Sequence, residues 1–235
     1  NGRRKKTFKS PSSYPSVSFC DPKYTETLPV FQTISCALDA FAHSIESYVS
    51  VRSNPATELF SLRAAKLIWE TLFAPDKNYE SLFRGDIKED SFFSKDDREC
   101  LLYAASMAGA AIGHTGTGFP HPMGYNLTLQ KGIPHGLACA LFDGYFLECN
   151  EKLPDVRDKI NQLYKFIGAS GETLKEKLDH LAQITIRKYC PTSATALSDL
   201  EIKDFISLLD TSGSYSNSPY IPTSDEAESI YRKIL

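Results

Sequence analysis

The segment Cys36-Ala-Leu-Asp-Ala-Phe-Ala-His-Ser-Ile-Glu46 has the apolar spacing of a helix and carries two residues that can bind a metal ion. Asp39 and His43 lie four residues apart. That spacing separates two side chains by about 40° around a helix axis and about 6 Å along it. A carboxylate oxygen and an imidazole nitrogen on one helix face can reach the same ion. The segment therefore predicts half of a metal site.

Two further histidines, His121 and His135, bracket a stretch from Phe119 to Gly136 that is rich in proline and glycine. Three imidazoles and one carboxylate would complete a ligand set for a divalent metal such as iron or zinc. Spacing alone leaves another interpretation open, in which these are surface neighbours and ordinary polar loop residues. Three of the five histidines fall in these two segments, which favours a metal site. His180 is expected on the charged, solvent-exposed side of a later helix.

Helical spacing dominates the rest of the chain, and strand-like alternation is scarce. Pro29 can open the first helix. A second helix is predicted from Asn54-Pro55 to Pro75, with these inward residues: Ala56, Leu59, Phe60, Ala64, Leu67 and Ile68. Residues 76–95 mix polar residues with three phenylalanines and are expected to form a surface excursion.

Later segments continue the helical pattern. Asp96-Asp97 favour the start of a helix, and Pro134 would place His135 at the start of another. Residues 198–201 and 223–226 both fit the capping box, so each predicts a helix start. These signals predict an all-α bundle.

The composition of the chain limits the kinds of partner that it can be expected to bind. The chain has 235 residues, 42% hydrophobic and 23% charged, with a net charge of −3. A mildly acidic domain gives no case for nucleic acid or an anionic membrane as partner, and no apolar run approaches the roughly 18 residues of a membrane span. The basic run Arg3–Lys6 is expected to be a solvated flank. Six cysteines without a Cys-x-x-Cys pair predict reduced, mostly buried thiols of a cytoplasmic protein, and a zinc site built from cysteines is not expected.

Several motifs, taken together and in order, are found in one enzyme family. The first is Asp-Ala-x-x-His-x-x-Glu from Asp39 to Glu46, followed by a helix of small residues at 104–112. A glycine-rich turn at 115–118 then precedes His121, and Pro-His-Gly with His135 follows fourteen residues after His121. The segments at 20–29 and 217–232 are also similar to the family's interdomain bridge and last helix. The chain thus resembles the helical domain of the iron-containing (group III) alcohol dehydrogenases.

The resemblance implies an all-α multi-helix bundle of the dehydroquinate synthase-like C-terminal type. Residues 1–28 would be a remnant of an N-terminal domain and the bridge, and residues 29–235 the helical metal-binding catalytic domain. The family's nucleotide-binding domain would be missing from this chain, which is expected to be inactive alone. The resemblance also implies a homo-oligomer.

The resemblance further implies that Asp39, His43, His121 and His135 bind iron(II), with zinc(II) as the alternative. The metal would polarise the oxygen of a small alcohol or aldehyde for hydride transfer to or from NAD or NADP, which the missing domain would hold. His114, Thr117 and Phe119 are candidate cofactor contacts, with plain packing as the alternative.

Two more residues bear on the implied site. Glu46 could orient a ligand imidazole from behind, with an ordinary buried hydrogen bond as the alternative. Tyr125 stands where many family members carry a further histidine, so a histidine-based proton relay is in doubt.

Two other functions remain open at the level of sequence. One is an all-α metallohydrolase, although this chain lacks the adjacent His-Asp dyad that many helical hydrolases carry. The other is a helical interaction domain with a structural metal, which four protein ligands would also suit.

Overall fold

Helices make up the protein throughout the residues that the structure, a computed structural model, describes: 10–191, 196–209 and 213–234. In those ranges there is no β-strand, which confirms the predicted all-α class, and no helix is long and apolar enough to cross a membrane. The α-helices described are α1 (Val30–Val49), α2 (Pro55–Leu72), α3 (Tyr79–Arg84), α4 (Lys95–Thr115), α5 (Pro120–Asn126), α6 (His135–Asn150), α7 (Pro154–Ile167), α8 (Gly171–Tyr189), α9 (Asp199–Leu209) and α10 (Ser224–Ile234).

The centre of the fold is formed by α1 and α6. Helix α1 packs against α2, α4 and α6, while α6 also packs against α5 and α8. Apolar side chains of α1 such as Ile34, Leu38 and Ile45 have no exposed surface. Because two neighbours of α6 carry Asp39 (on α1) and His121 (on α5), this packing brings the predicted ligand segments together.

Helix starts follow the predicted capping chemistry. The Asn54 side chain accepts from the backbone N–H of Thr57 at 3.2 Å, and the Thr57 hydroxyl accepts from the backbone N–H of Asn54 at 2.9 Å. Helix α9 begins with the box of Ser198 and Glu201, and α10 with that of Thr223 and Glu226. Each box satisfies backbone N–H groups that have no partner within the helix.

The predicted inward face of the first turns of α2 is wrong. Ala56 is exposed, and Leu59 and Phe60 are 70% and 43% exposed, whereas Thr57 and Ser61 are buried. The capping box fixes the orientation of Thr57 and hence the phase of the helix start. Apolar periodicity over so few residues does not contain that information.

Residues 76–95 are not a simple surface excursion. They form α3 and a short 3₁₀ turn, and Tyr79, Leu82, Phe92 and Phe93 are at most 9% exposed. The Tyr79 hydroxyl donates to the Leu72 carbonyl at 2.8 Å, which fixes the segment to the end of α2. The polar residues between these aromatic side chains hide the pattern in the sequence.

The stretch between His121 and His135 contains several proline and glycine residues, yet it is largely helical. Helix α5 continues into a π-helical turn at Leu127–Lys131. Pro120 and Pro122 fall in the first turn of α5, where a missing N–H removes no helical hydrogen bond. Gly132, with a φ of 71°, ends the helical run.

Candidate metal centre

The four predicted ligands meet around one carboxylate oxygen. Asp39 Oδ1 lies 3.9 Å from His43 Nε2, 3.6 Å from His121 Nε2 and 3.7 Å from His135 Nε2. Two ligands at about 2.1 Å from a tetrahedral ion are roughly 3.4 Å apart. The structure thus brings together side chains from α1, α5 and α6 at separations close to those of a metal site.

Two glycines allow the helices to approach this closely. A Cβ on Gly136 would lie 1.8 Å from the Ser35 carbonyl oxygen and 2.9 Å from Asp39 Cβ, and a Cβ on Gly124 would lie 3.2 Å from the Cys139 backbone nitrogen. At position 136 only a hydrogen lets α6 contact α1 this closely, and at position 124 the lack of a side chain eases the contact with α5. The Pro-His-Gly motif therefore places His135 and leaves room for Asp39 at the same point.

Glu46 anchors the buried side of the site. Its Oε1 is 2.6 Å from His121 Nδ1, and its Oε2 accepts from the Gly118 backbone N–H at 2.5 Å. A carboxylate bonded to Nδ1 holds the proton there and directs Nε2 towards an ion. This contact matches the orienting role expected of Glu46.

The donor atoms themselves have the surroundings of metal ligands. Asp39 Oδ1 and His121 Nε2 are both inaccessible to solvent and have no hydrogen-bond partner. Buried polar atoms without a partner are rare, because each costs roughly 1–3 kcal/mol. A divalent cation between them would satisfy both atoms, so the residues present fit a metal.

The electrostatics of the site also favour a cation. Burial alone would raise the pKa of Asp39, but the His121 imidazole 3.6 Å away and the nearby charges of His43, His121 and His135 lower it to about 2. For Glu46, burial outweighs His121 and the Gly118 N–H, and its pKa is raised. Negative charge at Asp39 is thus the state that the surrounding groups stabilise.

One side of the site is open. The side chains of Asp39, His43 and His135 are 28%, 25% and 28% exposed, whereas that of His121 is 2% exposed. Tyr125 stacks on His135 with ring centroids 5.2 Å apart. The ligands therefore form a cup with a buried base, His121 backed by Glu46, and an accessible mouth.

Sequence reasoning missed Cys139. This cysteine follows His135 by one turn of α6, is completely buried, and places Sγ 3.7 Å from His135 Nε2. Asp39, His121, His135 and Cys139 each offer a ligand atom within 4.8 Å of the other three. The prediction of mostly buried thiols is wrong, because Cys20 and Cys36 are exposed and only Cys139 and Cys149 are buried. The i, i+4 spacing of Cys139 from His135 on a predicted helix could have shown that this cysteine lies on the same helix face as that histidine.

Asp143, one further turn along α6, was also missed. It is completely buried, and neither carboxylate oxygen has a hydrogen-bond partner. Burial, followed by the charge of Glu46, raises its pKa well above the ordinary range.

The other sequence candidates, His114, Thr117, Phe119 and His180, lie outside the group of donor atoms described above. His114 is exposed at the end of α4, and the Thr117 carbonyl accepts from Asn217 Nδ2 at 3.0 Å. Phe119 is completely buried against Phe146, with ring centroids 5.3 Å apart, which fits the packing alternative. His180 is exposed, as predicted, and is 3.1 Å from Glu80.

Comparison with known proteins identifies the family. Residues 33–204 match the model of the iron-containing alcohol dehydrogenase family, C-terminal part. Alcohol dehydrogenase 4 of Schizosaccharomyces pombe is 25% identical over 94% of this chain, which covers 50% of that protein. The NADPH-dependent butanol dehydrogenase of Clostridium saccharobutylicum is 31% identical over 72% of this chain, which covers 39% of that protein.

Solved structures agree. An iron-containing alcohol dehydrogenase from Thermotoga maritima superposes with a TM-score of 0.72 at 25% identity, covering 92% of this chain and 52% of that one. A sulfoacetaldehyde reductase from Bifidobacterium kashiwanohense in complex with NAD⁺ has the same fold, with a TM-score of 0.77 at 24% identity and coverage of 96% and 56%. This chain spans about half the length of such relatives. It belongs to the iron-containing alcohol dehydrogenase family, and residues 33–204 correspond to that family's C-terminal part.

Proposed function

We propose that this chain is the metal-binding part of an NAD(P)-dependent alcohol dehydrogenase or aldehyde reductase. Asp39, His43, His121 and His135 would hold one divalent ion, iron(II) or alternatively zinc(II). The observation that carries the proposal is a cluster of donor atoms 3.6–3.9 Å from Asp39 Oδ1, with buried atoms lacking partners and one open side.

An ion held there would supply a Lewis acid that polarises the oxygen of a small alcohol or aldehyde. The remaining chemistry belongs to the protein. Glu46 fixes His121 in one tautomer, so its Nε2 lone pair faces the cup. The exposed edges of Asp39, His43 and His135 leave room for a small substrate at the mouth, where Tyr125 forms part of the wall. Exclusion of water from the buried base strengthens each electrostatic contact.

The nicotinamide nucleotide would be held by a separate domain. The glycine-rich turn at 115–118 does not act as a phosphate cradle, because the Gly116 N–H bonds to the Ile112 carbonyl and the Gly118 N–H to Glu46. The relatives are about twice as long as this chain. Residues 1–28 would then be a remnant of that domain and the bridge, and residues 29–235 the helical metal-binding catalytic domain.

The open mouth of the cup argues against the structural-metal alternative, since structural sites have their ligands closed around the ion. Membership of the dehydrogenase family argues against a metallohydrolase.

The test is an activity assay with NAD or NADP and short alcohols, applied to this chain and to the same protein extended upstream. Loss of cofactor positioning can remove ~7–11 kcal/mol of catalysis, so we expect no turnover by the chain alone and turnover by the longer form. In the longer form His135→Ala should abolish turnover, and His180→Ala should leave it unchanged. Turnover by the 235-residue chain alone would disprove the two-domain assignment, and an inactive longer form that binds its metal and cofactor would disprove the activity.

A further inference from the structure

We propose that Tyr231, on the last helix, is a positioning residue of the metal centre: its hydroxyl group holds α5 in the orientation that points His121 towards Asp39. The proposal rests on the metal centre proposed above and leaves its four ligands unchanged. It gives a role to the C-terminal helices α9 and α10, which carry none of those ligands.

Helix α5 depends on its neighbours for its orientation. It has only 7 residues, Pro120–Asn126, and it carries both His121 and Tyr125. A helix this short has little stability of its own. Contacts from other helices must therefore fix the direction in which its two site residues point.

The hydrogen-bond pattern of α5 changes at its end. In a regular α-helix the Leu127 N–H would bond to the Met123 carbonyl, but here it bonds to the Gly124 carbonyl, where α5 passes into the π-helical turn. That change leaves the Met123 carbonyl open to a donor from another part of the chain. The Tyr231 hydroxyl of α10 is such a donor, at 2.9 Å.

Asn126 extends this contact into a connected network. Its Nδ2 donates to the Tyr231 hydroxyl oxygen and to the Phe205 carbonyl of α9, each at 3.3 Å. Asn126, Phe205 and Tyr231 are at most 5% exposed, so water does not compete for these bonds. Helices α9 and α10 thus hold the end of α5 together.

The ring of Tyr231 also contacts the second ligand helix, α6. It meets the ring of Phe142 with centroids 5.4 Å apart, and Phe142 lies two turns beyond His135 on α6. One side chain therefore contacts both the helix that carries His121 and the helix that carries His135. This place in the fold lets Tyr231 fix the two ligand helices relative to each other.

The contacts lie on the side of α5 away from the metal centre. Successive residues of an α-helix are about 100° apart, so Met123 and Asn126 lie roughly 200° and 140° around the axis from His121. Tyr231 therefore supports α5 from behind without reaching the ion. Without the hydroxyl group α5 can adopt other orientations, and the metal affinity falls by the fraction of chains that keep His121 facing Asp39.

Tyr231→Phe tests the proposal, because it removes the hydroxyl group and keeps the ring. Cobalt(II) bound to the 235-residue chain is the probe: competition with a chelator measures its affinity, and its visible d–d bands report the geometry of its ligands. We expect Tyr231→Phe to weaken cobalt binding roughly three- to tenfold, the range that one intramolecular hydrogen bond is worth. The shape of the d–d bands should change as well.

Tyr79→Phe is the matched control. The Tyr79 hydroxyl is also buried and donates to a backbone carbonyl, that of Leu72, at 2.8 Å, but this bond joins α3 to α2, which carry no ligand. Both variants should lower the Tm of the metal-free chain by a similar amount. Only Tyr231→Phe should change the cobalt affinity and spectrum, which a merely structural role would leave unaltered.

A second variant covers the other half of the network. Asn126→Leu keeps the approximate size of the side chain and removes both donated bonds, so it should weaken cobalt binding too. The loss in the double variant with Tyr231→Phe should be smaller than the product of the single losses, because both changes break one connection. Losses that multiply in full would contradict the shared connection, and circular dichroism will show that the helices are retained.

The outcomes separate the two proposals. Wild-type affinity and spectrum in Tyr231→Phe, or equal losses of affinity in Tyr231→Phe and Tyr79→Phe, would overturn the role of Tyr231 and leave the metal centre intact. Absence of bound cobalt in the wild-type chain would overturn both.

Discussion

Glu46 and His121 form a completely buried carboxylate–imidazole pair, with Oε1 2.6 Å from Nδ1. The pair joins α1 to α5 and fixes the orientation of one ligand. Because Glu46 also accepts from the Gly118 N–H, its two oxygens satisfy two donors at once, and no neutral side chain of the same shape can do that.

Glu46→Gln is therefore expected to weaken metal binding about 10–100-fold, the usual loss when a partner behind a ligand histidine is removed. The amide must face either Gly118 or His121 with a donor instead of an acceptor. Chelator competition measures the affinity. Glu70→Gln, the same change at an exposed ion pair on α2, is the control and should have wild-type affinity. Equal affinity in both variants would show that the pair does not support the ligand.

Removal of the predicted ligands should empty the site. We expect about one divalent metal per chain in protein purified without chelator, and loss of most of it in His121→Ala and His135→Ala. Elemental analysis provides the measurement, and His180→Ala, an exposed histidine far along α8, is the control. Unchanged metal content in both ligand variants would refute the ligand assignment.

Metal removal should destabilise the fold, because the ion would join α1, α5 and α6. At a free metal concentration of a hundred times Kd, binding stabilises by about 2.7 kcal/mol. For a chain of this size that corresponds to a fall in Tm of roughly 5–10 °C on chelation. Thermal unfolding with and without chelator, in wild type and in His135→Ala, measures it. The variant should no longer respond, and superimposable wild-type curves would count against a site formed in this chain.

Gly136→Ala should disrupt the crossing of α1 and α6, since its Cβ would meet the Ser35 carbonyl at 1.8 Å. Overpacking of this kind costs about 1–3 kcal/mol or more, and it should also move His135 away from Asp39 and weaken metal binding. Gly109→Ala on α4 is the matched control, because nothing lies within 4 Å of the added Cβ. That change should stabilise the helix by about 0.5–1 kcal/mol. Equal Tm values for the two variants would contradict the close contact.

Acid should weaken the start of α10 through Glu226. The hydrogen bond from Lys152, then that from the Thr223 N–H, lowers the pKa of Glu226 from 4.5 to about 2. A carboxyl group with a lower pKa in the folded state stabilises fully above pH 4.5, and that contribution is lost as pH falls towards 2. Glu226→Gln should show less loss of stability over this interval than wild type. Identical profiles for wild type and Glu226→Gln would contradict the prediction.

Local sequence determined where the helices start and which two pairs of residues could bind a metal. Pro29, Asn54 and Ser198 mark helix starts because capping and proline geometry act over three or four residues, and the i, i+4 spacing puts Asp39 and His43 on one face for the same local reason. The resemblance to a family joined this pair to His121 and His135, and the structure places these side chains around one oxygen.

Only the tertiary structure decided which helix faces are buried and which further residues lie next to the site. Cys139 and Asp143 look like ordinary helix residues until α6 is packed against α1 and α5, and the close contact of α6 with α1 depends on Gly136. The burial of Phe92 and Phe93, and the outward position of Leu59 and Phe60, likewise depend on contacts between segments distant in sequence. Such contacts are set by the shape of the whole core, which no local window of residues contains.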